Sequence, residues 1–361
     1  MAETGNKKVI FVTITMGGGG SERAISILAE HFVKMGLQVT ILMIAGNDIA
    51  YQLNEKIEVR QVGNSSNGSL KERLKRISSM RKVFRDNKNA NIIAMGTVAS
   101  IFTLLADFGL TNNVIISERN NPNRINGKPY SKKMKMIRDF LYKRADYCVF
   151  QTEDAKDYFP NFPKEKARVI PNSISPDMPS PYEGERTKEI VTAGRLIPEK
   201  NQKMLLSAFA EFLRTHQEYA LRIFGSGELE QELKQYAKEL GIESKTEFIP
   251  FTSRLHDEMK KSGIYVSTSN GEGISNAILE AMAMGIPTIA TDCPIGGSKM
   301  CIDTGNNGIL IPVGDVNALV EALNKIAGDG QYAKRLSQNA VLVRERFSEE
   351  NIVKMWEELL E

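Results

Sequence analysis

Glu272 and Glu280 are acids whose setting in this sequence suggests chemistry. They flank seven residues inside Ser267–Asp292, STSNGEGISNAILEAMAMGIPTIATD. The stretch reads as a strand end, a polar Gly-containing loop, a short helix, a stop and a second strand. Gly271 and Gly273 let the backbone come close to a ligand. Ser275 and Asn276 both suit the N-cap of the helix, and Gly285-Ile286-Pro287 ends it. An anion held above Ser275 and Asn276 meets free N–H groups and the positive end of the helix dipole. Glu272 then lies beside that anion, and Glu280 lies about one and a half turns deeper at about 3.6 residues per turn. The alternative is an ordinary helix–strand corner with one exposed acid.

A Glu, seven spacers and a second Glu, embedded in GEG and then ISNAILEAMAMGIPTIATD, resembles the signature of the family 4 retaining glycosyltransferases of bacterial polysaccharide and oligosaccharide synthesis. The resemblance implies the GT-B fold, two Rossmann-like doubly wound parallel-sheet domains facing a central cleft. It implies that Glu272 hydrogen-bonds the donor sugar, that Gly273, Ile274, Ser275 and Asn276 offer backbone N–H groups to the diphosphate, and that Glu280 holds the ribose. Further upstream, Gly194-Arg195-Leu196 and Lys200 match a G-R-L turn followed by a Lys whose cations neutralise the diphosphate in relatives. Arg195 brings a planar fork and Lys200 a point charge, a pair suited to a leaving group that gains negative charge. Two surface cations are the alternative. Gly225 in LRIFGSG and Phe251 in FIPF fall where relatives meet the nucleotide and its base.

In the first half, Lys8–Thr15 reads as a buried strand opening onto Gly17–Gly20 and a helix from Ala24 to Met35, a unit friendly to phosphate. Glu22 stands where a dinucleotide fingerprint needs its third Gly, although Asp48 leaves a nicotinamide reading open. The same GGGGSERA resembles the family's turn over the donor phosphates, with Gly18 and Gly19 in close approach and Glu22 and Arg23 structuring the helix start. After the strand Val114–Ser117, many relatives carry a His that reaches the donor sugar. Here Arg119 occupies the place, with Asn120 beside it, and a structural Asn/Pro turn is the competing view.

These groups need elements to position them. Short strands at Gln38–Ala45, Asn91–Met95, Tyr147–Gln151, Glu189–Ala193 and Gly308–Val313, with helices between, point to doubly wound α/β sheets. The expected domains are residues 1–171 on the acceptor side, 172–346 binding the nucleotide sugar, and a C-terminal helix, 347–361, crossing back to the first. Ser175–Arg186, Pro-rich and aperiodic, reads as a linker. Val316–Ala327 and Gln331–Arg346 read as amphipathic helices. Cys293-Pro294-Ile295-Gly296-Gly297-Ser298 forms a further turn, to which the resemblance gives at most a donor-loop role, because it lacks the Glu that relatives carry shortly after this Gly pair.

With 361 residues the chain is long enough for two domains. MAETGNKK does not resemble a signal peptide, so a cytoplasmic location is expected. Three cysteines without CxxC spacing argue against a disulfide framework or a zinc site. The sequence contains no DxD triplet, so no metal and no separate cofactor is implied, only a UDP-sugar donor. Residues 1–170 carry 27 Lys+Arg against 16 Asp+Glu, and the remainder 20 against 28. The basic excess lies in Leu70–Lys88 and Lys128–Arg144. The second of these interleaves Met134, Met136, Ile137 and Phe140 with cations, fitting either an anionic membrane surface or a solvated helix packed on its domain. A lipid-linked glycan acceptor suits the basic half, and no module for nucleic acid is present. Two rival functions share the nucleotide site: a UDP-N-acetylglucosamine 2-epimerase and a non-catalytic nucleotide-sugar-binding subunit.

Overall fold

Parallel strands whose two faces are both apolar must be covered by helices on both sides. The computed structural model describes residues 7–63, 68–119, 121–122, 124–125, 128–250, 252 and 254–360. They fall into two compact units, Met1–Asn172 with Glu349–Glu361, and Ser173–Ser348.

The first unit is built on β1 (Lys8–Thr13), β2 (Gln38–Met43), β3 (Glu58–Gln61), β4 (Asn91–Met95), β5 (Asn113–Glu118), a minor antiparallel pair β6 (Arg124–Ile125) and β7 (Lys128–Pro129), then β8 (Tyr147–Phe150) and β9 (Ala167–Val169). Its seven-stranded sheet runs β3-β2-β1-β4-β5-β8-β9 and is parallel throughout. Helices α1 (Gly20–Lys34), α2 (Leu70–Asp86), α3 (Thr97–Ala106), α4 (Lys132–Tyr142) and α5 (Glu153–Asp157) connect the strands. The final helix, Glu349–Glu357, adds Ile352, Val353 and Trp356 to the core that Phe11, Phe32 and Ile93 form. Edge strand β3, sequence EVRQ, has no apolar run and gives no strand signal in the sequence; its ladder to β2 alone defines it.

The second unit holds β10 (Thr187–Ala193), β11 (Ala220–Phe224), β12 (Thr246–Ile249), β13 (Ser262–Ser267), β14 (Thr288–Thr291) and β15 (Ile309–Ile311) in the order β12-β11-β10-β13-β14-β15, again parallel. Helices α6 (Gln202–Phe212), α7 (Glu230–Glu239), α8 (Leu255–Met259), α9 (Asn276–Ala283), α10 (Gly297–Cys301), α11 (Val316–Gly328), α12 (Gly330–Ala340) and α13 (Val343–Arg346) surround it.

Two expectations are corrected. The linker-like Ser175–Arg186 is tied down: Met178 is buried with Ile174 in a core cluster, and the Arg186 guanidinium donates to the carbonyls of Met284 and Ser262. The helix expected over Gln331–Arg346 is interrupted at Val341 and Leu342, and this turn lets Val343 and Phe347 enter the core while Leu342 stays exposed.

Candidate active site

Strands β10 and β13 are neighbours in the sheet although 68 residues separate Ala193 from the residue at which β13 begins to pair, so the loops leaving their carboxyl ends lie side by side. The first carries Gly194, Arg195 and a one-turn helix, Pro198–Lys200, and the second carries Thr268 to Ser275. Hydrogen bonds staple the two loops together. The Thr268 hydroxyl donates to the carbonyls of Lys200 and Asn201, at 3.0 Å in each case. Asn270 N–H donates to Glu199 O at 2.8 Å, and its side-chain amide donates to Pro198 O at 3.2 Å. Lys200 Nζ is thereby held against Glu272 Oε1, while the Ser269 hydroxyl donates to Glu272 Oε2 at 2.9 Å. Both charged side chains are about one-fifth exposed, at 19% and 22%. Cation and acid neutralise each other.

Helix α9 starts where the sequence places it, with Ser275 as N-cap in extended conformation and no side chain capping the end. Gly273, Ile274 and Ser275 are buried, and Asn276 is half-buried. Arg195 is exposed. Glu280 is buried on α9 and Glu272 is partly exposed in the loop. Burial pushes the Tyr265 hydroxyl well up from its ordinary range, and the negative charges of Glu272 and Glu280 push it further. Tyr265 is thus held as a neutral phenol. Cys293 is pushed up to about 11 by burial and then by Glu272, so it is a thiol rather than a nucleophile.

The Cys293–Gly297 turn closes one side of the site. Glu272 N–H donates to Pro294 O at 2.8 Å, and a Cβ on Gly297 would lie 1.8 Å from Gly273 O. Gly225 has φ 137° and a Cβ there would lie 2.0 Å from Gly194 O, so its lack of a side chain is used by the G-R-L turn itself. Phe251, expected near the base, lies outside the described residues, as does Asn120.

Gly18, Gly19 and Arg119 belong to the first unit. Gly18 has φ 95°, and Gly19 N-caps α1 in extended conformation with no side-chain cap. Glu22 folds back on Gly19, whose carbonyl accepts from Tyr51 OH at 2.9 Å. Arg119 follows β5, and its Nη2 donates to Asn172 Oδ1, which also accepts from Gln151 Nε2 at 2.8 Å. The adjacency of β5, β8 and β9 explains this meeting. Arg119 is 6% exposed, and its Nε and Nη1 have no hydrogen-bond partner among the described residues. Desolvation pulls the guanidinium down to about 10, with Glu22 opposing. Its neighbour Glu118 is buried, accepts from the Thr97 and Tyr142 hydroxyls at 2.7 and 2.9 Å, and is shifted upward by desolvation.

Sequence reasoning missed His256. It lies on α8 with Nε2 3.0 Å from Glu280 Oε2. No motif marks it, because the contact joins residues 24 positions apart.

Two family models divide the chain between them: Glycosyltransferase Family 4 matches residues 18–178, and Glycosyl transferases group 1 matches residues 176–342. The chain belongs to glycosyltransferase family 4. A Haemophilus influenzae protein described as an uncharacterized glycosyltransferase is 26% identical over 98% of this chain and 100% of that protein. A Campylobacter jejuni GalNAc-alpha-(1->4)-GalNAc-alpha-(1->3)-diNAcBac-PP-undecaprenol alpha-1,4-N-acetyl-D-galactosaminyltransferase is 26% identical, covering 98% of each chain. Among solved structures, Anabaena HepE in complex with UDP and glucose superposes with TM-score 0.85 at 20% identity, over 98% of this chain and 99% of that one. This family 4 chain has the GT-B fold, with its two parallel-sheet α/β units, and is a glycosyltransferase of the bacterial polysaccharide and oligosaccharide type. Among the described residues, no helix is long and apolar enough to cross a membrane.

Proposed function

We propose that this glycosyltransferase moves a hexosyl or N-acetylhexosaminyl group, with retention of anomeric configuration, from a UDP-sugar to a lipid-linked glycan acceptor. The observation that carries the reading is the meeting of Lys200 and Glu272 beside the uncapped start of α9. That arrangement suits a sugar diphosphate: Glu272 takes a sugar hydroxyl, the N–H groups of Gly273, Ile274, Ser275 and Asn276 take phosphate oxygens, and Arg195 and Lys200 neutralise the charge that grows on UDP. Glu280 takes the ribose, and Gly225 leaves the nucleotide room beside the G-R-L turn. By the family resemblance Gly18, Gly19 and Arg119 are further candidates for donor binding, Arg119 in place of the family's His.

In the reaction, the bond from the anomeric carbon to the diphosphate breaks, and the acceptor oxygen bonds to that carbon on the same face. The acceptor's proton goes to the departing phosphate oxygen, so no enzyme nucleophile is required. The UDP and the undecaprenol-linked sugars in the names of HepE and of the Campylobacter protein support the choice of donor and acceptor class. The direct test is a mass-spectrometric screen of UDP- and GDP-sugars against lipid-linked acceptors, with NMR of the product. Turnover of a UDP-sugar to an α-linked product from an α-linked donor is expected, and an inverted product or use of GDP-sugars alone overturns the proposal.

A peripheral position on the inner face of the plasma membrane belongs to the same proposal. On α4, Met136 and Phe140 are 72% and 71% exposed, with Met134 and Ile137 also exposed. Leu105 and Phe108, at and just after the end of α3, are exposed as well, and α3 packs on α4. Lys132 and Lys133, both exposed, stand at the start of the same helix, as a surface for anionic lipid requires. The protein is expected to float with phosphatidylglycerol vesicles and not with phosphatidylcholine vesicles. Met136→Asp with Phe140→Asp should weaken that binding by about tenfold or more, since each side chain loses on the order of 1.5–3 kcal/mol of burial. Equal flotation of the wild type and the double variant would remove α4 from the proposal.

A further inference from the structure

His256 is the partner of the acid to which the proposed function gives the ribose. Glu280 stands in a stretch of α9 that is buried all round, its neighbours Ile278, Leu279, Ala281, Met282 and Ala283 included. Its side chain is 9% exposed, against 31% for His256, so the imidazole is the more solvent-exposed member of the pair. A carboxylate so deeply placed needs hydrogen-bond donors to remain an acceptor. His256 Nε2, at 3.0 Å from Oε2, is such a donor.

We propose that His256 is a positioning residue for nucleotide recognition: by bonding Oε2 it holds the Glu280 carboxylate in the rotamer that accepts the ribose hydroxyls. This rests on the assignment of Glu280 to the ribose. A glutamate side chain free to rotate has to be ordered when the nucleotide arrives, and the imidazole does this beforehand. The alternative, that His256 occupies the site that the ribose must take, predicts the opposite sign.

The test measures binding of UDP and of 2′,3′-dideoxy-UDP by calorimetry to the full chain and to His256→Ala, His256→Gln and Glu280→Ala. Wild type should prefer UDP. His256→Ala should weaken UDP by about tenfold while leaving the dideoxy compound nearly unchanged, and should raise KM for the donor with little loss of kcat. Gln, whose amide N–H reaches the place of Nε2, should restore most of the difference. A merely structural role for His256 would weaken both nucleotides alike and lower Tm, and that result overturns the inference. Tighter UDP binding by His256→Ala also overturns it, in favour of competition. If Glu280→Ala abolishes discrimination against the dideoxy compound but His256→Ala does not, the inference fails alone. If Glu280→Ala leaves discrimination intact, the ribose assignment itself fails.

Discussion

Lys200→Ala is expected to raise the Kd for UDP by about 10- to 100-fold and to lower kcat/KM for the UDP-sugar by about 10²- to 10³-fold. Two losses of the same sign combine. The diphosphate loses a cation, and Glu272, which Lys200 neutralises, is left as an unopposed negative charge facing an incoming anion. Because Ser269 fixes the other carboxylate oxygen at 2.9 Å, Glu272 cannot simply swing away. The double variant Lys200→Ala with Glu272→Ala should therefore bind UDP better than Lys200→Ala alone, by about tenfold, although its turnover falls further because the sugar has lost its acid. Contacting charged residues of this kind are non-additive, and a four-point cycle of UDP affinities measures the coupling. Strict additivity in that cycle would mean that Lys200 and Glu272 act on separate parts of the ligand, against the shared site proposed above. High salt should shrink the effect only modestly, since both side chains are mostly withdrawn from solvent.

Much of this arrangement is readable from residue types alone, because it is local. Ser275 as N-cap, Asn276 as first helical residue and Gly285 with φ 71° after the helix all follow from capping and turn chemistry. The alternation of apolar runs with helices likewise announces parallel sheets. What sequence cannot supply is the order of strands. Between β10 and β13 the chain makes β11 and β12, and both lie on the far side of β10. The stapling of Thr268 and Asn270 to the Lys200 turn is a consequence of that order, and so is the approach of His256 to Glu280.

Arg138 marks a different limit. Within a run of cations it reads as one more solvated charge. It is in fact fully buried, with its guanidinium 4.5 Å from the Phe159 ring centroid and 5.3 Å from that of Tyr130, while Phe140 two positions on is 71% exposed. A planar cation stacks on aromatic faces at a cost that an ammonium does not match. The run of cations therefore hides a buried Arg138, whereas the exposed Phe140 fits one of the two readings that the segment allows.

Gly297→Ala is expected to disable the site from a position that donates no side chain to it. The added Cβ would stand 1.8 Å from Gly273 O, 2.3 Å from Gly273 C and 2.9 Å from Ile274 N. Every one of these atoms is backbone, so no rotamer change relieves the overlap, and either the 271–275 loop or the Cys293–Gly297 turn has to move. The loop carries Glu272 and the N–H groups ahead of α9, and its position is set by the Glu272 N–H bond to Pro294 O. Displacement should break that bond and misplace the acid together with the phosphate-binding backbone. The expected loss of stability is about 1–3 kcal/mol or more, as for overpacking of a closed interior. Affinity for UDP should fall in parallel, because the same atoms define both. Gly328→Ala, at the end of α11 where a new Cβ meets nothing within 4 Å, separates this effect from a generic response to losing a glycine. That variant should keep UDP affinity and gain slightly in Tm by restricting the unfolded chain. A Gly297→Ala protein with the Tm and UDP affinity of Gly328→Ala would show that the Cys293–Gly297 turn does not hold the donor loop, and the account of how Glu272 is positioned would have to be abandoned.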